Sequence, residues 1–242
     1  MTKRIASEGA TASADRELID PGWVAKLAEV PLNEARSAID EARGDRVFNA
    51  SVEGAHQEAG RDFYAQIRAP YELYALVRLL RPEHVVEVGV SSGVSSAYFL
   101  SALQRNGKGR LHSIDLPTPQ KGRRFSPKED SPVALPPGRR SGWAVPMSVR
   151  EGWDLRIGES QKLLPALAQE LDRIDLFLHD DLHTFDHATF ELQTVDPKVP
   201  PGGVLLADNT EWLEGALDVF AESKGARAVY RRGMDLGGFR KP

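Results

Sequence analysis

The sequence contains no cysteine. Disulfides, zinc–thiolate sites and cysteine nucleophiles are therefore excluded. Nor does any apolar run approach the ~20 residues needed to cross a membrane as a helix. The segment Met1-Thr-Lys-Arg-Ile-Ala-Ser-Glu lacks the apolar centre of a signal peptide, so a cytoplasmic protein with no membrane partner is expected. A strong charge of one sign is also missing. The net charge of −4 provides no global positive field for nucleic acid.

What is present is ordinary for a globular chain: 242 residues, 41 % apolar and 27 % charged. That length suits one large α/β domain with a filled core. Residues 1–16 are small and polar and read as a disordered tail. Between Pro21 and about Ala55, Trp23, Val24, Leu27, Val30, Leu32 and Ile39 recur at helical spacing. These helices are too short and polar for a core of their own and read as a cap over residues 17–60. The main domain is expected over 61–242. A helix is predicted over 60–80, carrying Phe63, Ile67 and Leu73, with Pro70 inside it as a point of kinking or splitting.

After Arg81-Pro82 the chain alternates between apolar strands and helical stretches. Strands are expected at 84–89, 111–115, 153–157, 174–179, 203–208, 227–232 and 236–241. Helices are expected at 95–105, 160–171, 185–195 and 213–224. Such alternation predicts a doubly wound, mostly parallel sheet covered on both faces, with ligands at the carboxyl ends of its strands.

The polar residues at those strand ends are the candidate chemistry. The first strand runs into Glu87-Val-Gly89-Val-Ser-Ser-Gly93, with a helix starting near Ser95. Glycines allow a tight turn and close backbone approach, and a helix N-terminus offers free N–H groups. The spacing is Glu-x-Gly-x-x-x-Gly and not the Gly-x-Gly-x-x-Gly of a dinucleotide fold, which disfavours a nicotinamide dehydrogenase. Asp115 ends the second strand, where a carboxylate can accept both ribose hydroxyls.

The loop resembles the S-adenosylmethionine (SAM) loop of class I methyltransferases. Three later segments extend the likeness: Gly158-Glu-Ser-Gln-Lys-Leu-Leu-Pro165, Ile174 to His183, and Gly202 to Trp212. Together they resemble the metal-dependent catechol and caffeoyl-CoA O-methyltransferases. Residues 1–60 and the 117–152 loop fall outside that likeness, and the loop is closer to uncharacterised bacterial relatives.

The resemblance implies a seven-stranded sheet with its last strand antiparallel. It implies SAM contacts from Glu87, Gly89, Ser91, Ser92, Gly93, Ser95, Asp115, Ser160, Gln161 and Asp180, with Ser160 and Gln161 by the adenine. It implies a divalent cation, Mg²⁺ or Ca²⁺, on Asp180, Asp208 and Asn209, all hard oxygen ligands. The implied activity is O-methylation of a small-molecule hydroxyl, and a homodimer is a further expectation.

Two departures stand out. His183 occupies the place of the family's general-base lysine; histidine titrates near neutrality, so His183 with Asp180 is the expected catalytic pair. Asp181 stands where a small residue is usual and adds negative charge.

Other readings stay open. The methyltransferase could work without metal through Asp180 and His183, or the chain could bind SAM without catalysis. His179, His183 and His187 are spaced by four and, on one continuous helix, would suggest a metallohydrolase. The basic stretch Lys121, Arg123, Arg124, Lys128, Arg139 and Arg140 reads either as a solvated loop or as part of a 117–152 lid drawing in an anionic acceptor. Trp143, Trp212 and Tyr64 are further pocket-wall candidates.

Overall fold

The computed structural model describes residues 19–59, 69–116, 135, 138–233 and 235–242. The expected tail, Tyr64, Phe63, Ile67, the basic residues 121–128 and most of the 117–137 loop lie outside the described residues.

Seven strands form one sheet: β1 (His84–Val88), β2 (Arg110–Asp115), β3 (Trp153–Ile157), β4 (Leu176–His179), β5 (Val204–Asp208), β6 (Val229–Tyr230) and β7 (Leu236–Arg240). Their order is β3-β2-β1-β4-β5-β7-β6. The first five are parallel, and β7 runs antiparallel to both its neighbours. The strand order reverses between β1 and β4, so the carboxyl ends of those two strands border the crevice where doubly wound sheets bind ligands.

Alternation along each strand sorts its side chains to the two faces. Val85, Leu111, Leu176, Leu178, Val204 and Leu206 join one core. That core is covered by α1 (Pro21–Ala28), α2 (Leu32–Gly44), α4 (Pro70–Leu80) and α5 (Val94–Asn106), with α3 (Arg46–Ala59) alongside. Val86, Val88, Ile114, Phe177, Leu205 and Ala207 face α6 (Ser160–Glu170), α7 (Phe185–Val195) and α8 (Ala216–Ser223).

The N-terminal helices are tied firmly into this body. Trp23 is buried and its indole donates to the Val229 carbonyl at 3.0 Å. Buried Arg231 pairs with Glu72 of α4 at 2.9 Å, and Glu72 also accepts the backbone N–H of Asp20. Breaking such a buried pair strands the remaining charge.

Pro70 is the first residue of α4, not an interior kink. The position suits it, because the missing N–H would have no intrahelical partner there. β6 is two residues long, shorter than the six-residue stretch expected; beyond it the Arg231 N–H still donates to the Leu236 carbonyl at 2.9 Å, while its guanidinium pairs with Glu72 and Asp235. No helix among the described residues is long and apolar enough to cross a membrane.

Candidate active site at the carboxyl ends of β1, β2, β4 and β5

The loop after β1 is built on Gly89. Its φ is +89°, and a Cβ there would lie 1.9 Å from the Asp180 carbonyl oxygen. Only glycine lets the β1 and β4 exits come this close, and the Asp180 N–H donates to Val88 O at 2.9 Å. Ser91 adopts a left-handed φ of 47°. Gly93, φ +90°, precedes α5 and abuts Val145 and Gly142. The 141–145 segment docks on the loop through Gly142 N–H to Ser91 O (2.8 Å) and Ala144 N–H to Ser92 O (2.9 Å). This part of the expected lid is thus seated on the glycine loop. Trp143 packs against His56, and Arg139 lies over its ring.

Glu87 is fully buried on the α5 side of the sheet. It accepts hydrogen bonds from the hydroxyls of Ser95, Ser96 (2.6 Å) and Ser113 (2.8 Å). Burial pushes its carboxyl up to about 7, against the lowering effect of those donors. Glu87 and the Ser95 hydroxyl therefore engage each other and set the loop's shape from beneath. Ser92 is buried as well. Asp115 accepts the Val90 N–H at 3.1 Å, with the Ser91 N–H and the Ser141 hydroxyl also turned to it. Burial raises its carboxyl above the ordinary range, opposed by these bonds. A carboxylate offers about four acceptor positions, so further donors can still be received.

At the exit of β4, two consecutive aspartates face different neighbours. Asp180 belongs with Asp208, the buried last residue of β5, and with His183. Their ligand-capable atoms lie within 4.8 Å of one another. His183 Nε2 is 3.6 Å from Asp180 Oδ1 and 3.4 Å from Asn209 Nδ2, and the His183 ring meets Trp212 edge-on with centroids 5.6 Å apart. Asn209 holds a left-handed φ of 47°, which asparagine tolerates better than most residues. Burial first, then the nearby Asp180 charge, drives the Asp208 carboxyl well above its usual range.

Asp181 turns the other way. Its Oδ2 lies 3.0 Å from His187 Nε2 and 3.4 Å from the Ser160 hydroxyl. His187 Nε2 also lies 3.1 Å from Glu191 Oε1 and 3.1 Å from Ser160 Oγ, while the Gln161 amide sits 3.1 Å from Nδ1. His179, fully buried, places Nδ1 2.8 Å from Glu191 Oε2. Burial alone would lower His187, but bonds to Asp181 and Glu191 push it up to about 10. Glu191 is held below the carboxylate range by His179 and His187 despite its burial.

His179 and His187 thus share Glu191 and Asp181, while His183 faces Asp180 and Asn209. α7 begins only at Phe185, so the three histidines share no helical face, and His179 and His183 precede it. Glu191 escaped the sequence reading; the usable signal was the i,i+4 spacing of His187 and Glu191 on α7.

A methyltransferase-domain family model matches residues 86–210, just over half of the chain, from β1 through the β5 exit. The chain belongs to that methyltransferase family. No curated protein matches it in sequence. The methyltransferase resembles several solved structures in fold. The Podospora anserina methyltransferase PaMTH1, solved bound to S-adenosylhomocysteine (SAH), has a TM-score of 0.57 at 14 % identity, covering 100 % of both chains. TomG from Streptomyces achromogenes, an O-methyltransferase of tomaymycin synthesis solved with SAM, gives 0.53 at 18 % identity, covering 82 % of this chain and 91 % of its own. A Bacillus cereus O-methyltransferase solved with SAH gives 0.53 at 16 % identity, with coverages of 79 % and 91 %.

Proposed function

We propose that this methyltransferase uses SAM to methylate a hydroxyl of a small molecule, with a divalent cation at the Asp180 side of the β4 exit. Family membership and SAM- or SAH-bound structures of the same fold support the cofactor. The observation that carries the cation is the crowding of half-buried Asp180 against buried Asp208, beside His183. Burial and the neighbouring Asp180 charge raise the proton affinity of Asp208, which makes this a donor set suited to positive charge. The amide of Asn209 adjoins them. These residues fit a hard cation.

SAM would lie across the Gly89–Gly93 loop, with Asp115 receiving its ribose and Ser160 and Gln161 beside its adenine. Glu87 and Ser95 act beneath the loop, keeping it in place. When bound, the cation would acidify and orient the acceptor hydroxyl. His183 Nε2, facing Asp180 and Asn209, takes the hydroxyl proton. Trp212 walls the His183 side and helps exclude water. The acceptor oxygen then needs only in-line placement against the methyl group, which proximity supplies.

The same geometry supports a second reading, in which Asp180 and His183 act on the acceptor without metal; the 3.6 Å Asp180–His183 approach favours it. Methyl transfer from labelled SAM to a panel of phenolic, sugar and anionic natural-product acceptors, with and without EDTA, tests both. Activity abolished by EDTA and restored by Mg²⁺ is expected. Full activity under chelation would leave the metal-free reading, and absence of SAM binding would overturn the function.

A further inference from the structure

The β4 exit carries a second cluster that the proposed chemistry does not use. Asp181, His187, Glu191 and His179 form a closed network on the side away from Asp208. Glu191 and His179 are fully buried, and His187 is 7 % exposed. His179 Nε2 is buried with no hydrogen-bond partner, which puts that ring's proton on Nδ1, donating to Glu191. His179, Asp181 and Glu191 also have the makings of a metal site. An ion is not needed there, because the His187 ring already sits between the two carboxylates, 3.0 Å from Asp181 and 3.1 Å from Glu191.

What distinguishes this network is its other end. The same His187 ring reaches both residues of the α6 N-terminus, Ser160 through Nε2 and Gln161 through Nδ1. Ser160 in turn reaches Asp181. The α6 N-terminus and the β4 exit belong to different βα units, and the His187 ring bridges them.

We propose that His187, anchored by Glu191, is a positioning residue that clamps the Ser160–Gln161 turn to Asp181 and so sets the affinity for the cofactor, while leaving the acceptor chemistry to Asp180, Asp208 and His183. The proposal rests on the SAM reading above. It also accounts for the unusual Asp181: its charge is committed to the clamp and is not added to the cation side. The consecutive aspartates divide the work, one for each flank of the crevice.

The test is calorimetric titration of SAH into the full chain and its His187→Gln, Asp181→Asn, Glu191→Gln and double His187→Gln/Asp181→Asn forms, with kcat and KM for SAM on any acceptor found. His187→Gln is expected to weaken SAH binding by about tenfold and to raise KM for SAM with kcat changed less than about threefold, because Asp181 and Glu191 face each other without the ring. Removing the Asp181 charge in that background relieves the repulsion, so the double variant binds SAH within about threefold of Asp181→Asn alone. Strict additivity, or wild-type affinity in His187→Gln, overturns the clamp. If His187→Gln fails to fold, Glu191→Gln decides, since it keeps shape and leaves His187 paired to Asp181: a loss of a few-fold in SAH affinity supports the clamp and unchanged affinity overturns it. Wild-type protein that does not bind SAH removes the SAM reading and the clamp with it. Wild-type binding with indifferent variants removes the clamp only.

Discussion

The two flanks of the β4 exit differ in how they handle buried negative charge. On the Asp181 flank, two carboxylates share the His187 ring, which is held charged up to about pH 10. On the Asp180 flank, Asp180 and Asp208 crowd together and Asp208 is forced toward its protonated form. One flank carries its own cation in the His187 ring; on the other, Asp180 and Asp208 crowd beside His183. A buried charge without a partner is costly, so the first flank reads as architecture and the second as chemistry.

The most disruptive way to break this contrast is to separate the loops that support both flanks. Gly89→Ala drives a Cβ into the Asp180 carbonyl, 1.9 Å away, at a φ of +89°. SAM binding by calorimetry is expected to weaken by about a hundredfold or more, because neither backbone can yield cheaply. Asp208→Asn strikes one flank only. Methyl transfer is expected to fall by about a hundredfold with its Mg²⁺ response lost, while SAM affinity moves less than about threefold. Equal losses of both would merge the flanks into one site.

The smallest effect concerns pH. His187 has a raised folded-state value, so its contribution to stability is complete below its unfolded value of about 6.5 and is lost as pH rises through about 10. The partners that face it are Asp181, Glu191, Ser160 and Gln161. Wild-type Tm should therefore decline between pH 7 and 10 more steeply than that of His187→Gln. Parallel slopes would show that the ring carries no extra proton in the fold.

Much of the fold was legible in the sequence, because strand and helix periods are local. β3 and α7 begin and end where the apolar pattern predicts. Of the kink or split expected at Pro70, a helix opening there fits the split, and a proline looks the same to a periodicity at the first turn or the middle. β6 was overextended at both ends, and the buried pairing of the Arg231 side chain with Glu72, 159 residues away, was not legible either. The site was legible at its strand ends: Asp115, Asp180, Asp208 and Asn209 are carried there by the parallel sheet. Their second neighbours were not. That Glu87 takes up the Ser95 hydroxyl, or that Gln161 turns to His187, depends on how α5 and α6 pack, and no spacing along the chain encodes it.

The contrast between the flanks is tested most directly by a crystal structure with SAH and Mn²⁺, the ion located by its anomalous scattering. The account predicts SAH over the Gly89–Gly93 loop and one ion among Asp180, Asp208 and Asn209, with the Asp181–His187–Glu191 network intact. An ion lodged among His179, Asp181 and Glu191, or none beside Asp208 at saturating Mn²⁺, would contradict it.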